Sequence, residues 1–243
     1  MKRWRVRAYD PVLGVGIHYD SAWSRFCTSH AHLVDFVSVD PQRLCSEIDR
    51  DTPQRFIPLP SEVAAIDALA ERRPVIAHGV ALDGDFERVI HWRGRFDFRW
   101  VVLHARGPTD ESTLARLVVG AQARLDCRVV IADVHPALAN RICAATGCGA
   151  VLDLRDDPAL DPRHVQEIRV AGSDGSMRLD APHGVVPRAT WRALDRLLPQ
   201  LPKLRAITLV LDESQHASLG ADGVAAQLEL ARAAWNRYRT PRR

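Results

Sequence analysis

The stretch Pro74-Val75-Ile76-Ala77-His78-Gly79-Val80 is a short apolar run that opens on proline and closes on a histidine followed by glycine. A run of this length, bounded by chain-breaking residues, suits a strand buried on both faces, as in a parallel sheet. Such a strand carries the imidazole of His78 to its carboxyl end. The same construction, an apolar run closed by a titratable or hydroxyl side chain, recurs along the chain at spacings that a helix can fill.

Upstream, residues 12–17 run into His18 and residues 33–39 into Asp40. Downstream, residues 100–104 end in His104, residues 128–133 in Asp133 with His135 shortly after, and residues 150–153 in Asp153. Residues 167–171 lead to Ser173, and residues 206–211 to Asp212 and Glu213. Helical patterns separate these runs. In residues 111–125, Leu114, Leu117, Val118 and Ala121 recur at i, i+3, i+4, i+7, the period of a helix packed on one side. Gly147 stands where the helix over 137–146 needs a left-handed cap. Residues 43–59 read as irregular, and residues 172–184 as a long loop after the seventh strand.

Eight strand and helix units in strict alternation demand parallel strands with crossover helices. Within 243 residues they make the size of a single α/β domain, a (β/α)8 TIM barrel spanning 1–243. An open doubly wound sheet is the rival. It gathers its ligand at one switch point, whereas polar residues here end nearly every strand, as the mouth of a barrel requires.

Hydrophobic content of 47% with 26% charged residues is that of an ordinary globular protein. No apolar run reaches the roughly 18 residues of a membrane span. The net charge of +3 comes from dispersed arginines, which read as a solvated surface and not as a nucleic-acid footprint. The basic start is followed by residues interrupted at Tyr19, Asp20 and Ser21 before a secretory core forms, so a cytoplasmic protein is expected. Five cysteines without a Cys-x-x-Cys pair indicate neither a disulfide framework nor a zinc knuckle. Gly14 and Gly16 lack the third glycine of a dinucleotide fingerprint.

In a barrel the strand ends meet at one mouth, so His18, Asp40, His78, His104, Asp133, His135, Asp153, Ser173, Asp180, His183, Asp212 and Glu213 form one candidate constellation. Imidazoles and carboxylates in a partly dry cup suit a divalent cation of the iron, manganese or zinc type. They equally suit proton transfer. His78 and His104 are the strongest pair, because adjacent strands lie only about 4.8 Å apart.

The order of motifs carries a resemblance. Gly14-Val15-Gly16-Ile17, Val34-Asp35-Phe36, His78-Gly79-Val80-Ala81-Leu82, His104, Thr146-Gly147-Cys148-Gly149 with Leu152-Asp153, Ile168-Arg169-Val170-Ala171-Gly172, Asp180, Trp191 and Thr208-Leu209 together resemble the multinuclear non-haem iron-dependent oxidative enzymes, the family of the methanobactin-biosynthesis oxidase. The resemblance implies a TIM barrel with iron at its mouth. It also implies oxygen-dependent chemistry, commonly on cysteines of a ribosomally made precursor peptide brought by a partner protein. His78 and His104 take histidine-ligand positions of the pattern, Asp153 its aspartate, and Asp180 an aspartate of the seventh loop.

The chain departs from the pattern at several places. Ala132-Asp133 stand where the family has Glu-Asn, Arg169 where it has His, and Val210 where it has Glu; Pro182 takes a histidine position, with His183 one residue on. The expectation is one or two iron ions on His78, His104, Asp153, Asp180 and His183, with Asp133 and Asp212 compensating for missing ligands, acting on a peptide cysteine or a small thiol. Two alternatives stay open: a degenerate barrel acting as a binding or scaffold partner in peptide modification, and a divalent-metal sugar isomerase or endonuclease-like barrel.

Overall fold

The computed structural model describes residues 12–21, 24–48, 55–81, 86–105, 110–154, 159–172 and 184–239. In chain order the strands are β1 (Gly14–His18), β2 (Phe36–Val39), β3 (Cys45–Glu47), β4 (Phe56–Pro58), β5 (Val75–Ala81), β6 (Phe98–His104), β7 (Arg128–Ala132), β8 (Gly149–Asp153), β9 (Val165–Ala171) and β10 (Ala206–Val210). All but β3 and β4 join in a closed barrel of order β1-β10-β9-β8-β7-β6-β5-β2, every pair parallel. The expected barrel is therefore the fold.

The helices are α1 (Ser24–Ser29), α2 (Pro60–Ala70), α3 (Glu87–Arg93), α4 (Glu111–Leu125), α5 (Pro136–Thr146), α6 (Arg188–Leu197) and α7 (Glu213–Arg239). Local chemistry sets their ends. Asp110 caps α4 by accepting from the Thr113 amide at 2.9 Å, and Leu114, Val118, Ala121 and Leu125 form its buried face. Pro136 opens α5, and Gly147 closes it in the left-handed region at φ 71°. The last helix, α7, is broken at Gly220, whose φ 65° and ψ 176° interrupt a segment that begins at Glu213.

Residues 43–59 are less irregular than expected. Cys45–Glu47 and Phe56–Pro58 pair antiparallel as a ribbon outside the barrel. Three residues per strand are too few for a periodicity of two to be visible.

Alternation along each strand sorts the core into two layers. Val15, Ile17, Val37, Val39, Val101, Leu103, Val129, Ile131, Ile168, Val170, Ile207 and Leu209 face out against the helices. Phe36, Ile76, Trp100, Val102, Val130, Ala132 and Ala206 fill the barrel. Gly16 makes room for this filling: a Cβ there would lie 2.5 Å from the Phe36 ring. The glycine doublet of β1 thus serves packing. Stepping by two from the inner apolar residues toward the carboxyl ends gives His18, Ser38, His78, His104, Arg169 and Thr208, all directed into the mouth. Among the described residues no helix is long and apolar enough to cross a membrane.

Candidate functional site

His78 reaches the mouth from an irregular part of β5. Its register with β6 shifts between Ala77 and Val80, and Gly79 adopts φ +82°. Alternation from Ile76 turns the imidazole inward, the bulge lies beside it, and Gly79 packs against Asp40, whose Cγ would be 3.0 Å from an added Cβ. Asp40 itself accepts from the Gln42 amide at 2.8 Å, capping the short helical turn after β2.

His104, at the end of β6, is held from both sides. Its Nδ1 lies 2.5 Å from Asp133 Oδ2 and its Nε2 lies 3.2 Å from His78 Nδ1. The two rings meet edge-on with centroids 4.7 Å apart. Asp133 follows β7 at φ +59°, in the left-handed region that a non-glycine residue occupies only at a cost. On the far side of His78, His18 stands edge-on with centroids 5.3 Å apart and places its Nδ1 3.2 Å from Ser38 Oγ.

The cup keeps two imidazoles, His78 and His18, uncharged. Burial, then the neighbouring His18 and His104, holds His78 well below the ordinary histidine value. Burial, then the positive charges of Arg169 and Arg43, lowers His18 to about 4. Both rings are therefore neutral near pH 7 and carry available lone pairs. Among the described residues, His78 Nε2 is buried and has no hydrogen-bond partner.

Arg169, inward on β9, places Nη1 3.8 Å from Asp133 Oδ1 and Nη2 3.9 Å from Asp153 Oδ2. One layer deeper, Glu167 is wholly buried; it accepts from Thr208 Oγ1 at 2.6 Å and from Trp100 Nε1 at 3.2 Å. Burial lifts its pKa to about 7, against the opposing effect of these two donors and Arg169. β7 and β8 pair only at Val130↔Gly149 and Ile131↔Ala150, so the wall separates above them. A cavity of about 710 Å³ occupies that gap, lined by Asp133, Asp153 and Arg169 among apolar side chains.

The fold thus brings together His78, His104, Asp133 and Asp153 of the expected set, with His18 and Arg169 beside them. Asp212 instead caps α7, accepting from Ser214 Oγ at 2.6 Å and the Gln215 amide at 2.8 Å. Ser173, Asp180 and His183 lie outside the described residues. Glu167 is not among the candidates named from sequence; the signal for it is a carboxylate inside an otherwise apolar strand, two residues from Arg169 and so on the same face.

Among the described residues no group of three or more His, Cys, Asp or Glu side chains converges as a metal site. The fit to metal is that of a pair: His78 and His104 offer two nitrogens at chelating separation. The fit to a second ion is poor, because Arg169 holds a permanent positive charge beside Asp133 and Asp153.

No protein-family model matches the chain, and no curated protein does. Solved structures resemble it in fold. Active domain 2 of the Pyrococcus furiosus chitinase superposes with a TM-score of 0.57 at 10% identity, covering 96% of this chain and 98% of that one. A fungal endo-β-N-acetylglucosaminidase gives 0.55 at 11% identity, covering 92% and 98%. Orotidine 5'-monophosphate decarboxylase of Methanocaldococcus jannaschii gives 0.53 at 12% identity, covering 91% and 98%. At these identities the likeness is one of fold alone.

Proposed function

We propose that the barrel is a metal-dependent oxidative enzyme, a divergent relative of the multinuclear non-haem iron-dependent oxidative enzymes, holding one iron ion between His78 and His104. The observation that carries this is the 3.2 Å separation of His78 Nδ1 and His104 Nε2. Two imidazole nitrogens at about 2.0–2.1 Å from one ion, at tetrahedral or octahedral angles, stand about 2.9–3.4 Å apart. Asp133 adds the supporting shell: by accepting from His104 Nδ1 it fixes the tautomer that leaves Nε2 free for an ion. The ion would supply oxygen activation. The chain's own residues hold His104 in place, keep His78 neutral and shield the cup from water. The substrate in this reading is a cysteine of a precursor peptide delivered by a partner protein, or a small thiol.

A second reading is favoured by the unpartnered Nε2 of His78. With Asp133 accepting from His104 Nδ1, His104 Nε2 can accept from His78 Nδ1. The chain Asp133–His104–His78 then ends in a bare lone pair, a general base that needs no metal.

Metal analysis of anaerobically purified protein separates the two. The iron reading expects about one equivalent, lost in His78→Ala and His104→Ala, and oxygen uptake with cysteine peptides. Less than about 0.2 equivalents of iron, manganese or zinc, unchanged by His78→Ala, overturns it and leaves the proton chain, or a barrel that binds without catalysis.

A further inference from the structure

We infer that Arg169 is a receptor for a carboxylate group of the ligand that enters the mouth between β7 and β8. The guanidinium is enclosed, with its side chain 14% exposed, yet its Nε is buried without a partner among the described residues. Its two nearest carboxylates stand at 3.8 and 3.9 Å, beyond hydrogen-bonding distance, and Asp133 directs its other oxygen to His104. Among the described residues Arg169 therefore makes no hydrogen bond, although guanidinium carries five donors in a fixed fork. An enclosed cation with its donors unused is costly unless something else accepts from them.

The cavity of about 710 Å³ reaches Arg169 through the opening where β7 and β8 stop pairing. Its remaining wall is mostly apolar, with Val134, Leu152 and Leu160. Asn140 is occupied, donating to the Ala159 carbonyl and accepting from the Asp161 amide. Among the described side chains lining the cavity, which include His135, Arg169 is the one guanidinium, and its planar fork matches the two oxygens of a carboxylate. A phosphate dianion fits less well, because Asp133 and Asp153 flank the same guanidinium and repel a second negative charge more strongly.

This names the chemical class of ligand for the mouth under either chemistry proposed above, and it rests on the mouth being the working site. The test is calorimetric titration of the full chain with N-acetylglycine, with N-acetylglycinamide as its uncharged match and with inorganic phosphate. The acid should bind at least about tenfold more tightly than the amide, as expected for a charge-assisted pair, and Arg169→Gln should abolish the preference. Equal binding of acid and amide, a preference retained in Arg169→Gln, or tighter binding of phosphate than of the acid overturns the inference. Circular dichroism checks the variant's fold, and Arg169→Lys, which keeps charge without the fork, serves if the glutamine does not fold; it should weaken the preference. Iron content of the same samples keeps the two readings apart: an acid preference in metal-free protein supports the carboxylate receptor while removing the iron.

Discussion

Glu167 and Arg169 occupy successive inward positions of β9, and the pair shows how one residue step sets chemistry. Arg169 stands at the rim, whereas Glu167 is wholly buried beneath it, with its pKa lifted to about 7. A carboxyl whose folded pKa exceeds its ordinary 4.5 binds more protons folded than unfolded, so this group's contribution to stability falls as pH rises from 4.5 through about 7. The size is about 3 kcal/mol at full burial. Glu167→Gln resembles the protonated acid: its carbonyl can accept from Trp100 and its amide can donate to Thr208. Thermal denaturation of the variant should match the parent near pH 5 and exceed it near pH 8. An identical pH dependence in the two proteins would show that Glu167 does not titrate in this window.

At the scale of the element, β5 is bent for its task. The bulge between Ala77 and Val80 and the positive φ of Gly79 adjoin His78, which alternation turns inward, while Asp40 fills the space beside the missing side chain. An alanine at this φ costs about 1–2 kcal/mol from its own backbone and has to displace Asp40. Gly79→Ala is therefore expected to lower the melting temperature by about 2–8 °C. Under the iron reading proposed above, the same variant should also weaken iron binding, because His78 moves with the strand. A variant with unaltered iron affinity and melting temperature would mean that the bulge does not set the histidine's position. Sequence periodicity marks this strand as buried, but a bulge is a relation between two strands, and neither strand alone encodes it.

At the scale of the molecule, α7 closes what β1 begins. Arg232 reaches Asp35 at 2.9 Å, Asp35 in turn accepts from the Val15 amide at 3.0 Å, and Tyr238 donates to the Leu201 carbonyl at 2.8 Å. Trp235 is buried against the core. Closing a barrel between its first and last strands makes the ends depend on each other, so loss of the terminal anchor acts on the whole fold. Trp235→Ala should cost about 3–5 kcal/mol and lower the melting temperature by roughly 10 °C. Far-ultraviolet circular dichroism and tryptophan fluorescence should report one shared transition. Fraying of α7 alone, with the main transition unmoved, would contradict this.

Alternation of apolar runs and helical periods was enough for the eight units, because burial on a parallel sheet and on a helix face leaves marks in adjacent residues. The parity of each strand also directed His78, His104 and Arg169 to one side, since a one-residue slip would turn the entire apolar set outward. The ribbon Cys45–Glu47 with Phe56–Pro58 left no such mark, and Glu167 was hidden by the apolar strand around it. What tertiary structure alone decided is contact: that Asp133 holds His104, that His104 meets His78, and that Arg169 makes no hydrogen bond among the described residues, beside the cavity where β7 and β8 stop pairing. These groups lie far apart in the chain, and their distances follow from barrel closure, a bulge and a left-handed residue. Local sequence pattern dictates which way a side chain faces; only the closed barrel dictates what it finds there.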